Sequence, residues 1–471
     1  MRAAFRFFYF ATYLLFRAGE ALVRLLPIET AFLLGRAGGE IAFWLLRRRR
    51  TLALANLRLA FGNEMSDAQL RATNREHFRL LGANLIAGLK SSTMQNEKLW
   101  ARLDANVPQE RGQHGWIALI SHIGNWELFS HLGEKFPEYR FGAVYQKLAN
   151  PYIDRHLRRT RARSGIALFD RRTELLKCVR FLREGGVIGV LVDQSAGYAG
   201  LWTPLFGRLT SSSTLAATLS IRTGLPVVPL AMYTTGRARW KLRIGAPVFP
   251  ECDDPEILTA QINRLLEEQI RASPADWLWG HNRWKALRPH LLFARDQRRV
   301  FIPPDFAAEA LDPFRILIVA PRTQDAAAAT LPAIRAIADG RPDTWLAVLT
   351  PRDATDIWRS APELRQILTW SEDEPTAALA AKIRATAQFD AAIFFDANWK
   401  TAIAVWRAGV PIRVGRKGNW FARFYNQHPP EPRERANDVA ANLEIAHSIG
   451  ASINRPMLAA ETGSAGAGGH S

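Results

Sequence analysis

His122 and Glu127 are the residues of this sequence best suited by type and spacing to acid–base chemistry. An imidazole can take a proton from a hydroxyl, while a nearby carboxylate orients the ring and stabilises its positive charge. Positions five apart on a straight helix lie about 140° apart, so the two side chains meet only if the chain turns. Gly124 and Asn125 between them are turn and N-cap residue types. The spacing therefore predicts a strand, a turn and the start of a helix.

The spacing alone is weak support for a site. With 10 histidines and 44 acidic residues in 471, about one such pair is expected by chance. Of all the histidines, only His122 has an Asp or Glu five residues later. The alternative is a surface histidine beside an unrelated glutamate, so the neighbouring elements must decide.

Two further groups of polar residues follow. Five arginines fall within the nine residues from Arg155 to Arg163, and they form either an anion-binding helix face or a solvated basic helix. Asp193-Gln194 follows the apolar run Val187–Val192. Polar groups at the carboxyl end of a central strand lie where open α/β sheets place their sites, although a plain exit into a loop is the alternative.

Two other segments are open to more than one interpretation. The polar segment 204–214 predicts a loop that could bind phosphate, although it lacks the P-loop lysine pattern. The aromatic and basic segment Trp277–Lys285 is typical of a membrane interface or of a packed closing segment.

Strand and helix patterns alternate from Trp116 to about Val248, which predicts an α/β sheet covered by helices. The predicted strands are Trp116–Ser121, Arg140–Tyr145, Val187–Asp193, Val227–Tyr233 and Trp240–Ile244. The predicted helices between them are Tyr152–Ser164, Thr173–Glu184 and Thr214–Thr223. Residues 47–290 are therefore expected to form one α/β domain.

Residues 1–46 are strongly apolar and run into four consecutive arginines, Arg47–Arg50. Aromatic-rich helices followed by cations predict an interfacial membrane anchor, with the arginines on the anionic cytoplasmic leaflet. A buried helical hairpin with a solvated arginine turn is the alternative. The run Phe7–Phe16 is too short to span a bilayer, which needs about 20 residues.

The remaining chain predicts a second folded region. Residues 291–313 are basic and proline-containing, as in a linker. A second α/β pattern, expected over 314–455, begins at Arg315–Ala320 and predicts a Rossmann-like half-domain. Residues 456–471 are expected to be a disordered tail.

The net charge of +18 predicts an anionic partner: nucleic acid, an anionic membrane face or an acidic protein. Nucleic acid is disfavoured, because the basic residues accompany apolar segments rather than a recognisable nucleic-acid-reading motif. Two cysteines, Cys178 and Cys252, imply neither a disulfide framework nor a cysteine zinc site.

The order of these features over about residues 1–290 resembles the lipid A late acyltransferases, a membrane-bound family related to the lysophospholipid acyltransferases. The resemblance rests on an ordered series of short motifs: Asn56-Leu57, Ser121-His122-x4-Glu127, Asn150-Pro151, Arg161 to Gly165, Arg183 to Gly186, Asp193-Gln194, Pro204 to Gly207 and Trp277 to Lys285. Each motif is weak alone, and their order makes the resemblance specific.

Residues 314–455 are similar to the N-terminal half of heptosyltransferase-type glycosyltransferases. The similarity rests on Arg315–Val319, Leu331-Pro332, Phe389–Phe395 and Arg407–Gly415. The family's Gly-Asp reads Gln324-Asp325 here, one residue too far from Leu331, and the second, nucleotide-sugar-binding half is not in this sequence. The resemblance therefore implies a module that is not catalytic alone.

The acyltransferase resemblance implies acyl transfer from acyl carrier protein to a hydroxyl of a lipid A precursor at the cytoplasmic face of the inner membrane. His122 is expected to act as general base and Glu127 to fix its tautomer. Arg159 is expected to bind a phosphate or the phosphopantetheine arm, with Arg161 and Arg163 as neighbours. Asp193 is expected to order the arginine helix or the loop, and Asp193 and Gln194 are both expected to contribute to substrate binding.

No metal or redox cofactor is expected for this chemistry. Two alternatives remain open: a non-catalytic membrane scaffold for lipopolysaccharide assembly, and a glycosyltransferase whose activity depends on a partner half.

Overall fold

A computed structural model describes residues 2–105, 115–163, 165–171, 173–396, 398–431 and 437–453. The chain divides into two compact units, Met1–Lys285 with Val300–Phe306, and Ala286–Arg299 with Ala307–Ser471. The segment predicted as a linker thus contributes to both units, and Leu291 and Leu292 are fully buried in the core of the second. The predicted tail, 456–471, lies outside the described residues.

The first unit combines N-terminal helices with an α/β region. Its helices are α1 (Arg2–Leu25), α2 (Ile28–Leu45), α3 (Arg47–Phe61), α4 (Asp67–Ser91), α5 (Asn96–Trp100), α6 (Leu132–Lys135), α7 (Pro151–Arg163), α8 (Leu175–Arg183), α9 (Leu215–Thr223) and α10 (Pro255–Ala272). Its strands are β1 (Leu103–Ala105), β2 (Trp116–Gly124), β3 (Phe141–Tyr145), β4 (Ala167–Asp170), β5 (Val187–Leu191), β6 (Leu201–Leu205), β7 (Arg208–Ser212), β8 (Val227–Gly236) and β9 (Arg239–Ile244).

The main sheet of this unit has the strand order β1-β9-β8-β2-β5-β3-β4. Strands β8, β2, β5, β3 and β4 are parallel, whereas β9 runs antiparallel to β8. The central strands β2 and β5 are almost wholly buried, as their continuous apolar runs predict. Strands β6 and β7 form a separate hairpin where the sequence predicted a polar loop. The predicted α/β fold is confirmed.

The N-terminal helices are only partly exposed. Helix α2 packs closely on α4, where a Cβ on Gly39 would lie 2.1 Å from the carbonyl oxygen of Phe78. Large apolar side chains of α1 remain exposed, including Phe7 at 75% and Leu15 at 74%. Within the described ranges, no helix combines the length and the apolar character needed to cross a bilayer. A close-packed α2 therefore accompanies an α1 with an exposed apolar face.

The second unit is a parallel α/β sheet. Its strands are β10 (Phe314–Val319), β11 (Thr344–Pro351), β12 (Leu364–Trp370), β13 (Ala391–Phe394) and β14 (Ile412–Val414), in the order β12-β11-β10-β13-β14. Its helices are α11 (Gln324–Ala328), α12 (Leu331–Ala338), α13 (Asp356–Arg359), α14 (Thr376–Thr386), α15 (Trp399–Arg407) and α16 (Asp438–Ser448). Along β10, Ile316 and Ile318 enter one core and Leu317 and Val319 the other, because successive side chains alternate between faces.

Candidate active site

The chain around His122 is shaped by a bulge at the end of β2. Strands β2 and β8 pair regularly up to Ile120 with Leu230, and pairing resumes at Gly124 with Met232. Gly124 has φ +56°, and a Cβ there would lie 1.9 Å from the carbonyl oxygen of Met232. Only glycine fits this backbone. The predicted strand is confirmed but continues past Ser121 to Gly124, with a bulge where a turn was predicted, and the following segment, Trp126–His131, is a 3₁₀ helix.

His122 is hydrogen-bonded to Asp193, which follows the neighbouring parallel strand β5. The His122 Nδ1 atom lies 2.8 Å from Asp193 Oδ1, and the His122 backbone N–H donates to Asp193 Oδ2 at 2.7 Å. The ring is 12% exposed and the carboxylate 2%. This contact corrects the prediction that Glu127 would pair with the ring. Because Asp193 accepts the proton on Nδ1, the Nε2 atom of a neutral ring can act as a base.

The environment of Asp193 holds it ionised. Trp277 Nε1 donates a third hydrogen bond to Asp193 Oδ2 at 2.9 Å. Burial alone would raise the pKa of Asp193, but the charge of His122 and the hydrogen bonds lower that pKa to about 2. For His122 burial acts in the opposite direction and lowers the pKa. The attraction to Asp193 outweighs burial, so the pKa of His122 is raised overall. The buried Asp193 therefore stays a carboxylate, and its charge stabilises the imidazolium form of His122.

The segment Trp277–Lys285 is packed against this site rather than open to a membrane interface. Asn56 Nδ2 donates to the carbonyl oxygens of Trp279 and His281 at 2.9 and 2.8 Å, which ties the segment to α3. Its buried Arg283 donates to Thr210 Oγ1, to the carbonyl of Ser211 and to Ser212 Oγ on β7 at 2.8, 2.7 and 2.8 Å. The hairpin and α3 thus fix the segment that supplies Trp277.

Glu127 is paired with an arginine of α7 instead of with His122. Arg161 Nη2 lies 3.1 Å from Glu127 Oε2 and 3.2 Å from Oε1, and its guanidinium lies 5.7 Å from the centre of the Tyr145 ring. The negative charge of Glu127 is near enough to help raise the pKa of His122, after the larger contribution of Asp193. Glu127 therefore positions Arg161 beside the histidine.

The other predicted arginines are not seen at this site. Arg159, the arginine expected to act most directly, lines a different cavity. Arg163 ends α7, and its side chain lies outside the described part of the structure. Helix geometry explains the separation of Arg159 from Arg161, because residues two apart project about 200° apart. Gln194 lies on the same cavity as His122.

A cavity of about 480 Å³ opens beside His122. His122, Glu127, Arg161 and Gln194 supply polar groups to its wall. Most of the remaining wall is apolar, and several of its residues are small. The apolar residues include Ala118, Ile120, Phe129, Leu132, Phe141, Gly142, Ala143, Val144, Leu168, Gly189, Leu191, Leu215 and Leu230. A Cβ on Gly189 would lie 2.7 Å from Ile120 Cδ1, so the missing side chain helps to keep the space open. The site combines a buried base with an apolar chamber.

Solved structures similar to parts of the chain are glycosyltransferases. A family 9 glycosyltransferase from Veillonella parvula DSM 2008 matches 30% of this chain and 42% of its own length, with 16% identity and a TM-score of 0.28. ADP-heptose lipopolysaccharide heptosyltransferase II from Escherichia coli matches 28% of this chain and 40% of its own length, with 20% identity and a TM-score of 0.26. The chain spans less than half the length of either structure.

Proteins related to this chain by sequence are lipid A biosynthesis acyltransferases. The lipid A biosynthesis lauroyltransferase of Escherichia coli (strain K12) is 26% identical over 275 residues, which cover 56% of this chain and 88% of the relative. The palmitoleoyltransferase of the same organism is 24% identical over 269 residues, covering 55% and 86%. The model of the bacterial lipid A biosynthesis acyltransferase family matches residues 3–286. Because this match covers more than half of the 471 residues, the chain belongs to that family and is, as the sequence predicted, an acyltransferase.

Proposed function

We propose that this protein transfers a fatty acyl chain from an acyl carrier protein thioester to a hydroxyl of a lipid A precursor, with His122 as general base. The buried contact between His122 and Asp193 beside an apolar cavity is the observation that carries the proposal. Among the described residues, no protein group hydrogen-bonds His122 Nε2, which leaves this atom for a substrate hydroxyl. Family membership supports the lipid A acceptor.

The reaction proceeds in one transfer. Nε2 of His122 takes the proton of the acceptor hydroxyl as that oxygen bonds to the thioester carbonyl carbon. Collapse of the tetrahedral intermediate breaks the carbon–sulfur bond, and the proton passes from the imidazolium to the departing thiolate. Asp193 keeps the Nδ1 tautomer and stabilises the imidazolium while it exists, so it is a positioning residue.

Arg161 is the side chain best placed to meet negative charge that develops during the transfer. It lines the cavity together with His122, and the ion pair with Glu127 orients its guanidinium. A preorganised donor of this kind stabilises an oxyanion without reorganising during the reaction.

The apolar part of the cavity suits the acyl chain of the donor. Ala118, Gly142 and Gly189 are small residues on neighbouring strands, and the larger Phe129 and Leu168 complete apolar walls. Burying a hydrocarbon chain there stabilises binding by about 0.8 kcal/mol for each CH₂ group. The carbonyl end of the chain would then lie beside His122.

The N-terminal helix supports work at a membrane surface. The exposed Phe7, Phe8 and Leu15 of α1 give it an apolar face, and Arg47–Arg50 follow α2. Such an arrangement lies in the interface of an anionic leaflet, and we place the enzyme at the cytoplasmic face of the inner membrane. The net charge of +18 also favours an acidic carrier protein as donor.

The test is acyl transfer by the full-length His122→Ala variant, with acyl carrier protein thioester and a lipid A precursor in detergent. Loss of the general base should lower kcat by about 10⁴-fold. The matched control is His290→Ala, which removes another histidine–aspartate pair, with Asp296 at 2.8 Å, from the second unit. Full transfer by His122→Ala would rule out the proposed mechanism.

A further inference from the structure

A second cavity, of about 370 Å³, lies beside α1 and differs in character from the first. Helices α1 and α7, the end of α4 and the end of the 3₁₀ segment Trp126–His131 contribute to its wall. The wall is mainly polar and basic: Tyr13, Arg17, Arg24, Ser91, Ser92, Met94, Asn96, His131, Glu134, His156, Arg159 and Thr160. A helix predicted only as a membrane anchor therefore also turns polar residues toward a cavity.

Glu20 organises the α1 side of this cavity. Its carboxylate is only 3% exposed. Arg24 Nη2 lies 2.8 Å from Glu20 Oε1, Arg17 Nε 3.3 Å from Oε2, and His156 Nε2 3.2 Å from the same carboxylate. Arg17 and Arg24 are each more than a third exposed, so their guanidinium groups stay accessible while Glu20 fixes their orientation. A buried carboxylate thus holds two arginines and ties α1 to α7.

The cavity carries more positive than negative charge. Arg17, Arg24 and Arg159 line it, whereas Glu134 is the acidic residue of its wall and Glu20 lies behind. Within the described ranges, no carboxylate pairs with Arg159. Guanidinium groups match phosphate oxygens through paired N–H donors, and hydroxyls such as Ser91 and Ser92 can add further hydrogen bonds. Arg159 is exposed, and among the described residues no carboxylate occupies it, so its guanidinium is available to an anion in the cavity.

Two elements separate this polar cavity from the catalytic cavity. Along the 3₁₀ segment, Glu127 and Ser130 face the first cavity and His131 the second. Along α7, Arg161 faces the first and Arg159 the second. A substrate could therefore place its reacting end at His122 and a charged group beyond these two elements.

We propose that this second cavity is a substrate subsite for a phosphate group, held by Arg159, Arg17 and Arg24. This inference rests on the proposed acyl transfer, because it assigns the cavity to one of its two substrates. The phosphate is either that of a phosphorylated glycolipid acceptor or the phosphodiester of the carrier-protein arm. The apolar outer face of α1, which includes Phe7 and Leu15, favours the lipid acceptor.

Arg159→Gln tests the subsite in the full-length enzyme. The substitution leaves no ion pair broken among the described residues, so the fold is expected to persist. Arg180→Gln is the charge-matched control, because Arg180 is exposed on α8 and lines neither cavity. Transfer is measured with a phosphorylated acceptor, with the same acceptor after removal of its phosphate, and over a range of donor concentrations.

The KM values identify the source of the phosphate. If the acceptor supplies it, Arg159→Gln raises KM about tenfold or more for the phosphorylated acceptor, equivalent to about 1.4 kcal/mol. It then leaves KM unchanged for the dephosphorylated acceptor and for the donor. If the donor supplies it, only the KM of the donor rises. An equal effect on both acceptors with an unchanged donor KM, or no change in any KM, would overturn the subsite.

A binding measurement separates this inference from the catalytic proposal. The His122→Ala protein is titrated with the phosphorylated acceptor and with the acylated carrier protein, with and without Arg159→Gln. We expect weaker binding of one of the two when Arg159 is replaced, even where transfer is absent. Equal binding by both proteins would remove the phosphate subsite and leave the role of His122 intact.

Discussion

In both units a pair of charged or titratable residues lies where parallel strands end, but the two pairs differ in their exposure to solvent. At the ends of β2 and β5, His122 and Asp193 are 12% and 2% exposed and lie 2.8 Å apart. At the ends of β10 and β13, Arg322 and Asp396 are 51% and 27% exposed and lie 3.5 Å apart. Both edges are where open α/β sheets place ligands. Only the first edge removes its charged pair from water.

The difference lies in what surrounds each carboxylate. Asp193 receives hydrogen bonds from the backbone and ring of His122 and from Trp277, and its pKa falls to about 2. Arg322 forms ion pairs with two carboxylates: its Nε lies 3.5 Å from Asp396 Oδ2, and its Nη1 lies 3.1 Å from Oε1 of the exposed Glu372. Exposed ion pairs of this kind contribute about 0–1 kcal/mol. A topological position therefore becomes a candidate catalytic site only when packing shields it.

Of the variants that compare the two edges, Asp193→Asn is expected to have the largest effect. An amide cannot hold the Nδ1 tautomer or stabilise the imidazolium, so kcat should fall by about 10³–10⁴-fold. Transfer rates are measured on protein whose thermal unfolding matches that of the wild type. A folded Asp193→Asn variant with wild-type kcat would contradict the claim that the buried pair at the first edge is what distinguishes it from the second.

Gly124→Ala is expected to have a smaller but clear effect. Alanine is strained at φ +56°, and its Cβ would meet the carbonyl of Met232, so the bulged end of β2 that carries His122 must move. Displacement of about 1 Å costs about a hundredfold in rate, and the strain lowers the free energy of unfolding by about 1–3 kcal/mol. Gly38→Ala, where a Cβ meets nothing within 4 Å, is the matched control. Equal activity of the two variants would contradict this role of Gly124.

Arg322→Gln should have the smallest effect. Removing a solvent-exposed partner of Asp396 and Glu372 should change the free energy of unfolding by less than about 0.5 kcal/mol and leave acyl transfer unchanged. Denaturant unfolding and steady-state transfer rates check both values. A marked loss of transfer would mean that the second edge contributes to the reaction after all.

Much of the first edge could be predicted from sequence, but not its pairing. The sequence indicates both His122 and Asp193, each after an apolar run, but its spacing favours Glu127 as the partner of the ring because Glu127 is near in sequence. Parallel pairing of β2 with β5 instead brings together residues that are distant in the chain. Ends of adjacent parallel strands lie side by side, and this rule could have indicated Asp193.

Other features depended on tertiary contacts that the sequence does not display. The polar Thr210, Ser211 and Ser212 predicted a loop, yet they lie buried in β7. Arg283 donates to the hydroxyl oxygens of Thr210 and Ser212 and to the carbonyl of Ser211, and the Ser211 hydroxyl donates to the carbonyl of Gly197. The motif around Trp277 indicated the family, but not that its indole would bind Asp193. The predicted family relationship is confirmed, because a series of short motifs in a fixed order is specific even where local structure is hard to predict.

The pH dependence of kcat/KM for wild type, Asp193→Asn and Glu127→Gln tests the central claim most directly. The neutral ring is the base, so activity rises with pH through the pKa of His122, which Asp193 raises above its usual value. Without the Asp193 charge, burial lowers that pKa, so the acidic limb should move to lower pH in Asp193→Asn and by less in Glu127→Gln. An acidic limb that moves more in Glu127→Gln than in Asp193→Asn, or in neither variant, would contradict the account.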